Sequence, residues 1–107
     1  MTQSNDMNQM IQTIKNDIST HKIMLYMKGS KTMPMCGFSG QVIQILNEIG
    51  KPYETKNVLE DELLRQAIKD FSDWPTIPQL YVDAEFVGGC DIITELYRSG
   101  ELAQLLD

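Results

Sequence analysis

The sequence predicts an α/β fold, a mixed four-stranded sheet flanked by helices on both faces. Three observations predict it. Segments with apolar residues at helical spacing alternate with short apolar runs of strand length. The run Ile23-Met24-Leu25-Tyr26-Met27 is apolar at nearly every position, as expected of a strand covered on both faces. The last two short runs are separated only by a tight turn, which makes them an antiparallel hairpin.

The elements come in the following order. Met7, Met10, Ile11, Ile14 and Ile18 mark one face of a first helix, with Asn5 or Asp6 as its cap. The strand Ile23–Met27 comes next, then a polar loop from Lys28 to Met35 that contains Pro34. After Cys36, the residues Phe38, Val42, Ile45, Leu46 and Ile49 fall on one helical face, and Gly50 supplies the stop. Tyr53 to Val58 reads as a second strand. Leu64, Ile68 and Phe71 form the face of a third helix with Asp61 and Glu62 in its first turn. Trp74-Pro75-Thr76-Ile77-Pro78 breaks the pattern. Leu80–Val82 and Phe86–Val87 are the hairpin strands around a turn at Asp83–Glu85, closed by Gly88-Gly89. Asp91 caps a helix through Tyr97. Gly100 interrupts it, and Leu102, Leu105 and Leu106 form a last short helical face. The two early strands joined through a helix make a right-handed parallel unit.

No repeat, low-complexity tract or linker divides residues 1–107, so they read as one domain, large enough to bury a core without staples. The formal charge of -6 argues against a nucleic-acid surface, which needs a basic footprint, and gives no attraction to an anionic membrane. The polar start Met1–Asp6 lacks the pattern of a signal peptide, and no apolar run is long enough to span a bilayer. Two cysteines are too few for a secreted disulfide scaffold and fit reduced thiols of a reducing, cytoplasmic compartment.

Cys36 is the sharpest chemical feature. It follows a strand and a loop and opens an amphipathic helix, where free backbone N–H groups and the helix dipole favour an anion. A thiolate there has a lowered pKa and is the reactive form. Gly37 removes a side chain where something must approach the sulfur.

The motif Cys36-Gly37-Phe38-Ser39 resembles the active site of the single-domain monothiol glutaredoxins. Met27-Lys28-Gly29 before it, and Trp74-Pro75-Thr76-Ile77-Pro78-Gln79 and Val87-Gly88-Gly89-Cys90-Asp91 after it, match the same family in order and spacing over nearly the whole chain. The resemblance implies a thioredoxin-like fold, glutathione binding and a [2Fe–2S] cluster shared by two subunits. It makes Cys36 the reactive thiol and the iron ligand, with two glutathione thiols completing four thiolates. It also implies that Lys28 and Arg65 hold the glycine carboxylate of glutathione. Ile77, beside a cis-proline, would pair its backbone with the glutathione cysteine, in the manner of an added strand. Cys90 and Asp91 would meet the γ-glutamyl end at a helix start, where Asp91 serves as ligand contact, as N-cap, or as both.

Ser39 stands where a dithiol reductase carries its second cysteine, and it cannot resolve a mixed disulfide. The first expectation is therefore a carrier that binds and transfers a glutathione-ligated cluster to iron–sulfur apoproteins as a homodimer. The second is a glutathione-dependent thiol–disulfide oxidoreductase, opposed by the extra loop Ser30–Pro34. The third is a regulatory module for BolA-type partners. Met33 and Met35 flank Pro34 and belong to the site rim or a partner surface.

Overall fold

A computed structural model describes residues 3–107. Its elements run α1 (Gln3–Thr20), β1 (Ile23–Met27), α2 (Gly37–Ile49), β2 (Glu54–Asn57), a 3₁₀ turn (Val58–Glu60), α3 (Glu62–Ser72), β3 (Gln79–Val82), β4 (Glu85–Gly88), α4 (Cys90–Ser99) and α5 (Glu101–Leu105). The order of helices and strands is the one expected from the apolar periodicity, with the 3₁₀ turn added.

The four strands form one sheet in the order β2-β1-β3-β4. β1 lies parallel to β2, with Met24 opposite Glu54, and antiparallel to β3, with Leu25 opposite Leu80. β3 and β4 are the hairpin, Val82 opposite Glu85. Asp83 and Ala84 between them both take positive φ, the mark of a two-residue turn whose twist matches the strands.

Side chains alternate along β1, so its uninterrupted apolar run feeds two cores. Ile23, Leu25 and Met27 pack with Val42, Leu46, Leu80, Ile93 and Leu102 beneath α2, α4 and α5. Met24 and Tyr26 point the other way, to Ile14, Ile18, Leu64, Ile68 and Tyr81 beneath α1 and α3. All five β1 residues are buried. Each buried aliphatic side chain contributes about 1.5–3 kcal/mol, so this strand is the centre of stability.

Five local expectations are corrected. α1 begins at Gln3, so Asn5 and Asp6 lie in its first turn; no Pro or Gly precedes them to stop the helix. Asp61 is the N-cap of α3 rather than a first-turn residue, and its Oδ1 accepts from the Leu63 and Leu64 N–H groups. Gly89, not Asp91, is the N-cap of α4, because the hairpin ends a residue early and frees Cys90 to enter the helix. β2 is shorter than 53–58, since the Asn57 side chain accepts from Leu59 N–H and turns the chain into the 3₁₀ segment. Phe38 and Leu105 leave the apolar faces assigned to them: Phe38 is 61% exposed, on the first turn of α2, and Leu105 is 42% exposed. Among the described residues, no helix is long and apolar enough to cross a membrane.

Candidate functional site

The site is built where β1 hands the chain to α2. The loop between them is held by its own backbone. Gly29 and Pro34 bridge as in an antiparallel pair, and Ser30 and Met33 bond each other through N–H and C=O. The Met35 N–H returns to the Lys28 carbonyl at 2.9 Å. Two side chains from other elements grip the start of the loop. Ser39 Oγ accepts from the Lys28 N–H at 3.1 Å, and Asn57 Oδ1 accepts from the Gly29 N–H at 2.9 Å. Farther out, Lys31 donates to the Tyr53 carbonyl and lies 4.3 Å from the centre of its ring.

The loop delivers Cys36 as the N-cap residue of α2, in extended conformation. No hydrogen bond of full geometry closes between its side chain and the helix, so the amides act on the sulfur mainly through their partial charges. They hold the Cys36 thiol below its ordinary value, the Ser39 N–H most strongly, then Phe38 N–H, the Lys28 ammonium and the Ser39 hydroxyl; partial burial opposes them. Cys90 is pushed the other way by burial and by the charges of Asp91 and Cys36, with the Thr94 hydroxyl partly offsetting them. A lowered pKa means more thiolate at neutral pH and a raised one means less. Iodoacetamide at pH 7 is therefore expected to label Cys36 well before Cys90, as read by mass spectrometry of the peptides. Equal labelling rates would refute this electrostatic asymmetry.

A cleft of about 420 Å³ opens beside Cys36. Lys28 and Cys36 form one wall and Trp74 to Pro78 another, and Gly89, Cys90, Asp91 and Ile92 close it at the start of α4. The Ile77–Pro78 peptide is cis, as the family resemblance implies. Buried Gln79 staples this wall: its Nε2 donates to the carbonyls of Trp74 and Thr76, and its Oε1 accepts from the Tyr81 hydroxyl. Burial pushes Tyr81 up to about 12, so it remains a donor at physiological pH. The two walls meet closely at Gly89, where an added Cβ would stand 3.4 Å from both the Pro78 carbonyl oxygen and Trp74 Nε1.

Cys36, Lys28, Ile77, Cys90 and Asp91 thus line one cleft, although they come from four separate stretches of chain. Arg65 does not line it; its guanidinium lies 3.8 Å from Glu62 on the half-exposed face of α3. The α3 cation in the wall is Lys69, one helical turn further on, which no sequence motif marks. Its signal was the spacing of four from Arg65, which puts both on one helix face. Trp74 both packs on Phe86, ring centroids 5.7 Å apart, and lines the cleft. Among the described residues, no three His, Cys, Asp or Glu side chains gather to hold a metal ion.

Known proteins resemble this chain in sequence and in fold. A glutaredoxin family model matches residues 23–87, from the start of β1 to within β4. The ycf64-like monothiol glutaredoxin of Synechocystis sp. is 57% identical over 90 residues, 84% of each chain. The solution structure of reduced apo GrxS14 from poplar superposes with a TM-score of 0.77 at 54% identity, over 87% of this chain and 85% of that one. The buckwheat glutaredoxin–glutathione complex superposes with a TM-score of 0.86 over 99% of this chain and 94% of that one; at 19% identity it establishes the fold alone. With its thioredoxin-like sheet, its single thiol at the head of α2 and these relatives, the chain belongs to the monothiol glutaredoxins.

Proposed function

We propose that this chain, one glutaredoxin domain over residues 1–107, binds a glutathione-ligated [2Fe–2S] cluster between two copies of itself and transfers it to apoproteins. One observation carries the reading: the cleft presents a single activated thiolate, Cys36, with a buried serine where a second thiol would stand. The donor set fits such a cargo. A [2Fe–2S] cluster takes four thiolates. Each chain offers one, because Cys90 sits in the wall with its thiol pushed up by burial. Two chains and two glutathione thiols complete the set, and ligands that exchange with solution suit delivery.

The residues divide the work of holding glutathione. Its two carboxylates call for cations and free amides. Lys28 and Lys69 flank the cleft for the glycine carboxylate, and Arg65 shares the Lys69 face of α3. The first amides of α4, capped by Gly89, receive the γ-glutamyl end beside Cys90 and Asp91. The Ile77 backbone lies between, for the peptide in the middle. The buckwheat protein, of the same fold, is a glutaredoxin–glutathione complex. A cytoplasmic location, where thiols stay reduced, belongs to this reading. So does a BolA-type partner at the Cys36 face, where Met33 and Phe38 stand exposed.

Anaerobic incubation with iron, sulfide and glutathione is expected to give a brown protein that elutes as a dimer. Omitting glutathione should prevent both the colour and the dimer. A colourless monomer with every component supplied would overturn the reading.

The low pKa and partial exposure of Cys36 also suit a second reading, exchange with glutathionyl disulfides. The Cys36 thiolate would attack the glutathione sulfur of a mixed disulfide and release the protein thiolate. A glutathione thiolate would then attack the enzyme-bound disulfide, releasing oxidised glutathione and restoring Cys36. The tethered loop beside the cysteine favours the carrier; robust turnover in a glutathione-coupled disulfide assay would favour exchange.

A further inference from the structure

We propose that Gln79 is a positioning residue for the bound peptide: by drawing the Trp74 and Thr76 carbonyls inward, it aims the Ile77 N–H into the cleft. The inference rests on the reading above, that the cleft takes glutathione, and it deepens that reading by naming what sets the wall.

The segment Trp74-Pro75-Thr76-Ile77-Pro78 cannot pair throughout as a strand, because Pro75 and Pro78 bring no N–H. Its carbonyls still need donors. Gln79 supplies them from within the sheet. It is fully buried at the first position of β3, opposite Tyr26 of β1. Its Nε2 donates to the Thr76 carbonyl at 3.1 Å and to the Trp74 carbonyl at 3.2 Å, while its Oε1 accepts from the Tyr81 hydroxyl at 3.1 Å. Carbonyls only accept, so one orientation of the amide satisfies both of them. Trp74 is gripped on its other side too, where its N–H donates to Ser72 Oγ at 3.1 Å and to the Lys69 carbonyl at 3.2 Å.

A trans peptide points its C=O and its N–H in opposite directions. The cis bond lies one residue later, at Ile77–Pro78, so the Thr76–Ile77 peptide is trans. With the Thr76 carbonyl drawn toward Gln79, the Ile77 N–H faces the other way. Ile77 lines the cleft and Gln79 does not. The Ile77 side chain packs in the core beneath α1 and α3, which leaves its peptide to meet the cleft. Among the described residues, no hydrogen bond takes up the Ile77 N–H or C=O. An extended ligand can use both, as an added strand would.

The probe is S-methylglutathione, which carries the peptide and both carboxylates but no thiol, so neither iron nor disulfide exchange enters. In Gln79→Met the side chain keeps its length and loses both donations. Its Kd, read from amide shifts of the full chain, is expected to be about tenfold weaker than that of the unaltered protein, a factor equal to about 1.4 kcal/mol. Tyr81→Phe leaves the two donations in place and should bind as the unaltered chain does. Ile14→Val trims the buried core and should lower Tm without changing the Kd, which separates positioning from stability. In the unaltered chain, saturation with S-methylglutathione should slow hydrogen exchange at the Ile77 amide, a readout that holds even if Gln79→Met folds poorly. An unchanged Kd in Gln79→Met, an equal loss in Tyr81→Phe or Ile14→Val, or an Ile77 amide indifferent to the ligand would each overturn the inference alone. An unaltered chain that binds no S-methylglutathione would overturn the glutathione reading, and this inference with it.

Discussion

A Cys36→Ser protein is expected to remain colourless in the same reconstitution that turns the unaltered chain brown, whereas Cys90→Ser should colour fully. The contrast follows from the two environments. At the head of α2 the sulfur meets the amides of Phe38 and Ser39 and the charge of Lys28, all favouring a thiolate. A serine hydroxyl in the same field stays protonated at neutral pH and offers iron no comparable ligand. Cys90 is held neutral by burial and by neighbouring negative charge, so its loss removes no ligand. The expected effect is all-or-none in the visible spectrum, together with loss of the dimer on gel filtration. Colour retained by Cys36→Ser would move the iron ligand elsewhere. Colour lost in Cys90→Ser would make the wall cysteine a ligand after all.

The largest effect on stability from a single added methyl group is expected at Gly29. Its φ of +95° lies in the region L-residues avoid, and a Cβ there would fall 2.5 Å from both the Met33 carbonyl oxygen and the Met35 amide nitrogen. Both obstacles are backbone, so no side-chain rotation relieves them. The left-handed conformation alone costs an alanine about 1–2 kcal/mol, and displacing the loop raises the total for Gly29→Ala to roughly 2–4 kcal/mol. For a domain of this size that is a fall in Tm of roughly 10 °C or more. The displaced loop also carries Met35 and Cys36, so reactivity at the thiol should fall with it. Thermal unfolding followed by circular dichroism measures the first effect; a Tm within about 2 °C of the unaltered chain would show that the loop reorganises freely, contrary to its tethering.

The fold was legible in the sequence wherever apolar periodicity decided it. The five apolar residues of β1 announced a strand buried on two faces, and they fill two cores. Asp83 and Ala84 turned where a hairpin was expected. What the sequence concealed was hydrogen bonding by short polar side chains. Asn57 ends β2 by accepting two amides at once, and nothing in the Tyr53–Val58 run signals that. Asp61 as a cap and as a first-turn residue look alike one position apart. Phe38 shares the period of the α2 stripe, yet the first turn carries it into solvent, and periodicity is blind to where a helix outruns its sheet.

The same division holds at the site. Cys36, Lys28, Ile77, Cys90 and Asp91 were identified from motifs and do line one cleft. Lys69 was missed because no motif marks it and its role depends on the rotation of α3 about its axis. That rotation is set by Leu64, Ala67 and Ile68 on the buried side. Arg65 and Lys69 share the outward face it sets, but only Lys69, one turn further along the helix, reaches the wall, while Arg65 stays beside Glu62. The hydroxyl of Ser39 was read for the thiol it replaces; its burial against the Lys28 amide is a fact of three dimensions.

The rims of the sheet bear on how two copies of this molecule can meet. β2 and β4, the outermost strands, are four residues each, and β2 reads Glu54-Thr55-Lys56-Asn57, with Lys56 paired to Asp17 of α1. Short, charged borders of this kind discourage a neighbour from continuing the sheet and so guard against runaway aggregation. Association by strand addition is thereby disfavoured on both flanks. The open apolar ground lies instead around the thiol, where Met33, Met35 and Phe38 face the solvent. Self-recognition of the kind proposed would then fall on that face and not on the edges of the sheet.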